Sequence, residues 1–323
     1  MAIKWSSVQI SPSELSLSKV LRCGQTFRWK CIDQIWSCSF NDRIILLKQN
    51  DGNLSYSSIP FKEDTIKLIH QYFHLDIDVN RLYKDWCSRD ARFLKNSSRF
   101  QGIRILDQDP WENLVCFICS SNNNVKRISK MCESLCVNYG QYIATFQGVK
   151  HYSFPLPEPL AGNNIENELR DLGFGYRAKF INKTAQMMLD DPDIYYLLVS
   201  GKLRDKTSIE CQQFLLQFPG VGPKVADCVA LMSLNKHQVV PIDTHFYQIA
   251  KRDYRFHSKS KSKTMTKIVY DEIQQFFLDL WGSYAGWAHS LLFAADLTDL
   301  ENGINRKRIS PEADRPKRRR KSP

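Results

Sequence analysis

The chain has 323 residues, 43% of them hydrophobic, with 45 Lys and Arg against 34 Asp and Glu and a formal net charge of +11. That length supports one sizeable core or two to three packed subdomains, and the basic balance points to a polyanionic partner. No apolar run approaches membrane-spanning length and the N-terminus lacks a signal-peptide pattern, which argues for an intracellular chain whose ten cysteines stay reduced.

The first hundred residues read as mostly β with helices appended. Thr26 to Ile32, Ile35 to Phe40 and Arg43 to Gln49 are short runs of β-forming residues, separated by Asp33-Gln34, Asn41-Asp42 and Asn50-Asp51-Gly52-Asn53. Turns this short predict an antiparallel meander, which needs a helix on one face, and Asp64 to Phe73 is the candidate. From Asp109 the pattern turns helical. Asp109, Pro110 and Glu112 have the spacing of an N-cap, a first-turn proline and a capping-box carboxylate. Further helices are predicted at Val125 to Tyr139, Glu166 to Leu172, Tyr176 to Leu189, Thr207 to Leu216, Pro223 to Leu234, Thr244 to Asp253, Thr264 to Leu280 and Tyr284 to Ala294, with a loop at Ser153 to Pro159. The expected fold is α+β: an antiparallel sheet domain over residues 1–105, an all-α body over 106–297, and a basic tail over 298–323 that should be disordered.

Charge is unevenly spread. Residues 306–323 carry net +7, leaving +4 for the rest, and the stretch Lys251 to Lys267 alone carries +6. The tail clusters Arg306 to Arg308 and Lys317 to Lys321 read as a nuclear import address in preference to a nonspecific phosphate tether. The Lys-rich loop Ser258 to Lys263 suits either phosphate contact or plain solvation. Cys116 and Cys119, and Cys132 and Cys136, have the spacing of buried helix faces. No His joins them in zinc-like order, so core thiols and no metal are expected.

The segment QFPGVGPKVADC (Gln217 to Cys228) is a Gly-rich hairpin that turns directly into a helix. Gly220 and Gly222 permit positive φ and close approach, Pro223 suits the first helical position, and the unpaired amides of the helix start form an anion site. Such a unit grips a DNA phosphate without reading sequence. Lys224 falls in the first turn, where the helix end disfavours a second cation and should lower the amine's pKa, towards a usable nucleophile. Taken alone, a Gly-Val-Gly turn with a nearby Lys is more often a plain hairpin with a solvated lysine. Asp243, nineteen residues on, is either a plain N-cap for the next helix or a carboxylate facing a reaction centre. Cys228, one turn after Lys224, is a small core thiol or the thiolate partner of its ammonium.

Together these residues resemble the helix-hairpin-helix, Gly/Pro-loop, Asp superfamily of DNA glycosylases. LRCGQTFRW (Leu21 to Trp29), FICSSNNNVKRI (Phe117 to Ile128), LGFGYRAKF (Leu172 to Phe180) and WGSYAGWAHSLLF (Trp281 to Phe293) are similar to the eukaryotic-type 8-oxoguanine DNA glycosylase/lyases, in the right order over roughly residues 3 to 297. The resemblance implies a bifunctional base-excision enzyme. It acts on double-stranded DNA containing oxidised guanine, as a monomer, in the nucleus or additionally the mitochondrion, with no cofactor. It makes Lys224 the nucleophile, Asp243 its electrostatic partner and Cys228 a supporting residue. Gly24, Pro241, Asp243, His289 and Phe293 become the damaged-base pocket, with the Gly24 carbonyl accepting the N7 hydrogen that only oxidised guanine has. Asn122 would fill the hole left by the flipped nucleotide, Tyr176 would wedge beside it, and Arg127 and Arg177 would hold the orphaned cytosine. Gly220, Val221, Gly222 and His245 would hold phosphate. Related glycosylases with an iron-sulfur cluster carry four cysteines after the Asp, and every cysteine here precedes residue 229.

One position departs from the family pattern: His289 stands where Gln is usual. A neutral His has one donor and one acceptor on a rigid ring, which leaves lesion preference open to a shift, and the sequence implies a fall in discrimination or activity at mildly acid pH as His289 protonates and loses its acceptor. The competing reading from another class is a noncatalytic helix-hairpin-helix DNA-binding protein, with Lys224 and Asp243 structural.

Overall fold

The β-forming runs near the N-terminus assemble one antiparallel sheet. In the computed structural model, which describes residues 3–40, 42–50, 52–260 and 264–296, strands β1 (Ser6–Gln9), β2 (Lys30–Ile32), β3 (Ile35–Phe40), β4 (Arg43–Asn50) and β5 (Asn53–Ile59) lie in the order β1-β5-β4-β3-β2. Asp33 and Gln34 both take positive φ between paired Ile32 and Ile35, the two-residue turn that matches strand twist. The expected strand at Thr26 to Ile32 shrinks to its last three residues. Thr26 to Trp29 serve tertiary contacts instead: Trp29 Nε1 donates to Tyr72 Oη at 3.0 Å, and the Arg28 guanidinium is buried. β1 and β5 are additions to the sequence reading. The basic tail and residues 261–263 of the Lys-rich loop lie outside the described residues.

Helix α1 (Leu17–Val20) follows β1, and α2 (Thr65–Tyr72) covers the sheet as predicted. Leu15, Leu17, Val20, Ile45, Leu47, Ile69 and Phe73 form the small core beneath it. Then come α3 (Val79–Arg89), α4 (Ala91–Phe100), α5 (Pro110–Ser120), α6 (Val125–Tyr139), α7 (Pro157–Leu160), α8 (Ile165–Asp171), α9 (Arg177–Asp190), α10 (Pro192–Val199), α11 (Ser208–Leu216), α12 (Pro223–Ser233), α13 (Thr244–Tyr254), α14 (Lys267–Trp281) and α15 (Ala285–Asp296). The body is not all-α. A hairpin, β6 (Tyr142–Phe146) and β7 (Val149–Tyr152), turns through Gln147 and Gly148, both at positive φ, and its Phe146 packs on Ile44 and Leu46 of β4. The loop expected at Ser153 to Pro159 contains the start of α7.

α12 occupies the centre. Residues Val225 through Ser233, nine in succession, are all buried, so the helix has no solvent face along that length and its neighbours fix it from every side. α5 packs on it and begins as predicted, with Asp109 Oδ1 accepting from Glu112 N at 2.8 Å. The Glu112 side chain does not complete a capping box. It reaches 2.5 Å to Arg28 Nη1 instead, because a guanidinium buried between sheet and helices needs an anionic partner. Arg28 also donates to Ser39 Oγ and the Tyr152 carbonyl, so one side chain ties β3, β7 and α5. Arg28→Met should therefore leave Glu112 unpaired and lower unfolding free energy by about 3–5 kcal/mol, measured by denaturant titration.

Candidate active site

Gly220 has φ of +80°, and a Cβ there would lie 2.3 Å from the Phe180 ring, so both backbone and space require glycine. Gly222 differs from the expected positive φ: at φ −98° and ψ 179° it is extended and serves as N-cap of α12, with Pro223 next. No side-chain hydrogen bond caps this helix among the described residues, and its first turn, Gly222 to Val225, lines an open cleft. Val221 is buried, its amide donating to the Phe218 carbonyl at 3.1 Å, which closes the hairpin.

Lys224 therefore leaves the first turn of α12 in a fixed direction. Its Nζ lies 3.3 Å from Ser120 Oγ and 4.9 Å from the centre of the Phe117 ring, held between the end of α5 and an aromatic face. Asp243 is both things its sequence context allowed. As N-cap of α13 it accepts from Phe246 N at 2.7 Å, and it lines the same cavity as Lys224. That cavity brings together Gly24, Lys224, Cys228, Pro241, Asp243, His289 and Phe293, with Cys23, Gln25, Phe117, Met232 and Ser290 completing the wall. Gly24, at φ +84°, arrives on the loop after α1, pinned by its neighbour. Gln25 Nε2 donates to the Arg104 carbonyl at 2.8 Å and its Oε1 accepts from Leu106 N at 3.1 Å. Lys224 and Asp243 also line an open cleft of about 680 Å³ formed with Ser120 to Asn123 and Met265 to Tyr270. The two residues thus stand where a small pocket of about 50 Å³ meets that cleft.

A second cluster borders that groove. Asn122 is exposed at φ +49°, Asn124 caps α6, and Tyr176 begins α9. Tyr176 Oη donates to the Ser121 carbonyl at 3.0 Å, and Arg177 Nη2 donates to the carbonyls of Ser121 and Asn122. Arg127 is exposed, its Nη2 donating to the Gly173 carbonyl at 3.3 Å. Arg177 is 3% exposed, lies 4.5 Å from the Tyr176 ring, and its Nε has no partner among the described residues. His245 sits in the first turn of α13 with its ring edge-on to Phe293, centroids 5.6 Å apart.

Residues 7–114 match the family model for the 8-oxoguanine DNA glycosylase N-terminal domain, and residues 115–270 match that for the HhH-GPD superfamily of base-excision DNA repair proteins. An N-glycosylase/DNA lyase of Saccharomyces cerevisiae is 37% identical, over 92% of this chain and 87% of its own. The chain belongs to the 8-oxoguanine DNA glycosylase/lyase family. A second N-glycosylase/DNA lyase, from Arabidopsis thaliana, is 36% identical over 91% of this chain and 80% of its own. The solved 8-oxoguanine glycosylase/lyase of Clostridium acetobutylicum, in complex with double-stranded DNA containing cytosine opposite 8-oxoguanine, superposes with a TM-score of 0.75 at 27% identity, covering 91% of this chain and 97% of that one.

Within this glycosylase two expectations change. Burial pushes the Cys228 thiol up to about 11, against the opposing charge of Lys224, so at neutral pH it is a thiol and no thiolate–ammonium pair forms. His289 is 5% exposed, 4.2 Å from the Phe246 ring centre, and neither ring nitrogen has a hydrogen-bond partner among the described residues. Burial, and secondly the Lys224 charge, hold the imidazole down to about 3. The Pro241 backbone favours the charged form without completing a hydrogen bond. His289 is neutral across the mildly acid range, so it does not titrate where the sequence implied.

Phe117, Gln25 and Ser120 were not singled out from sequence, although all three stand in the quoted motifs. Met232 carries no signal beyond a helical core position. Because the folded His289 ring binds its proton less tightly than an unfolded one, its contribution to stability is complete above pH 6.5 and is lost as pH falls towards 3. By pH 5 the loss should be ~2 kcal/mol. His289→Gln should shrink the pH 7 to pH 5 difference in unfolding free energy by about that amount, and leave the shape of the excision profile between those pH values unchanged.

Proposed function

We propose that this glycosylase removes 8-oxoguanine paired with cytosine from duplex DNA, and then cleaves the strand through a Schiff base on Lys224. The observation that carries this is that Lys224 and Asp243 line both the pocket that contains Gly24, His289 and Phe293 and the open cleft of about 680 Å³. Lys224 passes a proton to the departing base, and the amine so freed attacks C1′ as the glycosidic bond breaks and its electron pair leaves with the base. The Asp243 carboxylate stabilises the positive charge that develops on the sugar. The added nitrogen then loses a proton and its electron pair opens the C1′–O4′ bond, with O4′ leaving as the hydroxyl, which gives the iminium. Loss of a proton from C2′ expels the 3′ phosphate by β-elimination, and water releases the amine.

Specificity is supported by Gly24, whose positive φ turns the pinned loop into the pocket, where its carbonyl can accept a hydrogen bond found only on the oxidised base. The amides of Gly220 and Gly222 grip phosphate on either side of the Val221 amide, which the Phe218 carbonyl has taken. Arg127 and Arg177 hold the orphaned cytosine, with Asn122 filling the vacated space and Tyr176 wedged beside it. One chain supplies the whole pocket, in keeping with a monomer, and the basic tail suits nuclear import. The two unpaired nitrogens of His289 favour a second reading, the same chemistry with a lesion preference moved from 8-oxoguanine.

Borohydride should trap a covalent adduct with an 8-oxoguanine:cytosine duplex, and Lys224→Gln should abolish it. Asp243→Asn should slow excision by about 10²-fold or more, in line with removal of one electrostatic stabiliser. Excision rates over several lesions and opposite bases distinguish the two preferences, and an adduct that survives Lys224→Gln contradicts the mechanism.

A further inference from the structure

The segment Val240 to Asp243 delivers both Pro241 and Asp243 to the pocket, yet it belongs to no strand or helix until α13 begins. Its backbone is held by side chains. Tyr270 Oη accepts from Ile242 N at 3.2 Å, and Gln274 Nε2 donates to the Val240 carbonyl at 2.9 Å, so the bonds fall on either side of Pro241. Both of these α14 side chains are anchored on one group, the Asp227 carboxylate. Tyr270 Oη donates to Oδ2 at 2.5 Å and Gln274 Nε2 to the same oxygen at 2.7 Å, while Gln212 Nε2 of α11 donates to Oδ1 at 2.8 Å. Asp227 is 1% exposed and lies three residues after Lys224 on α12. Burying a carboxylate is costly unless its lone pairs are filled, and here every donor that fills them also braces a neighbouring element.

We infer that Asp227, Tyr270 and Gln274 are positioning residues for the reaction: together they form a strut that fixes the distance between the helix carrying Lys224 and the segment carrying Asp243. None of the three touches the pocket chemistry through its own reactive atoms, since Asp227 faces α14 and α11. The strut acts on the separation of nucleophile and carboxylate, a quantity to which rate is steep: a displacement of about 1 Å can cost ~10²-fold. Tyr270 also lines the cleft, but its hydroxyl is buried against Ile242 N and Asp227, so removing that oxygen leaves the cleft surface and the affinity for DNA in place.

This inference rests on the assignment of Lys224 and Asp243 to catalysis. The test uses the full chain with Tyr270→Phe, Gln274→Met and the double variant. It compares single-turnover excision from an 8-oxoguanine:cytosine duplex with affinity for a duplex bearing a tetrahydrofuran abasic analogue, and with melting temperature. Excision should fall about tenfold in each single variant and further in the double, with affinity changed less than twofold. Wild-type excision in a folded double variant overturns the strut, and so does a loss of rate matched by an equal loss of affinity, which marks general loosening. Should the double variant fail to fold, Tyr270→Phe alone decides, because it removes a single oxygen atom. Lys224→Gln, run alongside, separates the two claims: if it excises normally the catalytic assignment fails, whereas an inactive Lys224→Gln beside a fully active Tyr270→Phe overturns only the strut.

Discussion

Two helix N-termini converge on the mouth of one pocket, and the site depends on that convergence. The first turn of α12 presents an amine and a row of uncapped amides, and the first turn of α13 presents a carboxylate whose other duty is to cap that helix. Helix starts carry partial positive charge, which suits a phosphate at one and an anchored carboxylate at the other. Neither helix could hold its group in register if it slid. α12 is enclosed along nine residues, and α13 begins where a side-chain network stops the preceding segment from moving. The sheet domain then supplies the remaining wall by way of Gln25, which fastens the Gly24 loop to the backbone entering α5.

The pocket separates recognition from chemistry by depth. Cys228 and His289 lie where burial keeps both uncharged, so what they offer a base is shape, dipole and hydrogen bonding. The ionisable pair Lys224 and Asp243 stands at the boundary with the open cleft. A neutral floor under a charged rim lets an extruded base enter without meeting a buried ion, and concentrates the field where the glycosidic bond would lie.

Much of this was legible in the sequence where a local rule and the tertiary structure agree. α6 runs from Val125 to Tyr139 as its pattern dictates, Asp109-Pro110 opens α5, and the Gly-Val-Gly-Pro hairpin leads into α12. The residues that were hidden are those whose partners lie far away in the chain. Glu112 looks like a capping-box residue until Arg28, 84 positions upstream, claims it. β5 carries three serines whose hydroxyls mask its alternation, and the hairpin at Tyr142 to Tyr152 is short and flanked by helices. Phe117 and Met232 read as ordinary core, because only the packing of α5 against α12 gives them a cavity to line. The state of His289 was beyond reach for the same reason: burial is a property of the assembled molecule.

The Arg177 guanidinium illustrates how a preassembled reader differs from a waiting one. Its Nη2 is already spent on the carbonyls of Ser121 and Asn122, the residues that shape the loop pointing into the groove. Any base that takes this donor does so by exchange, and what is gained is the difference between two similar hydrogen bonds instead of the whole of one. An arginine held this way is a poor source of affinity and a good source of fidelity. In the proposed role, a cytosine edge with the right acceptors would compete with these carbonyls, and a mismatched edge would leave the loop its own bonds.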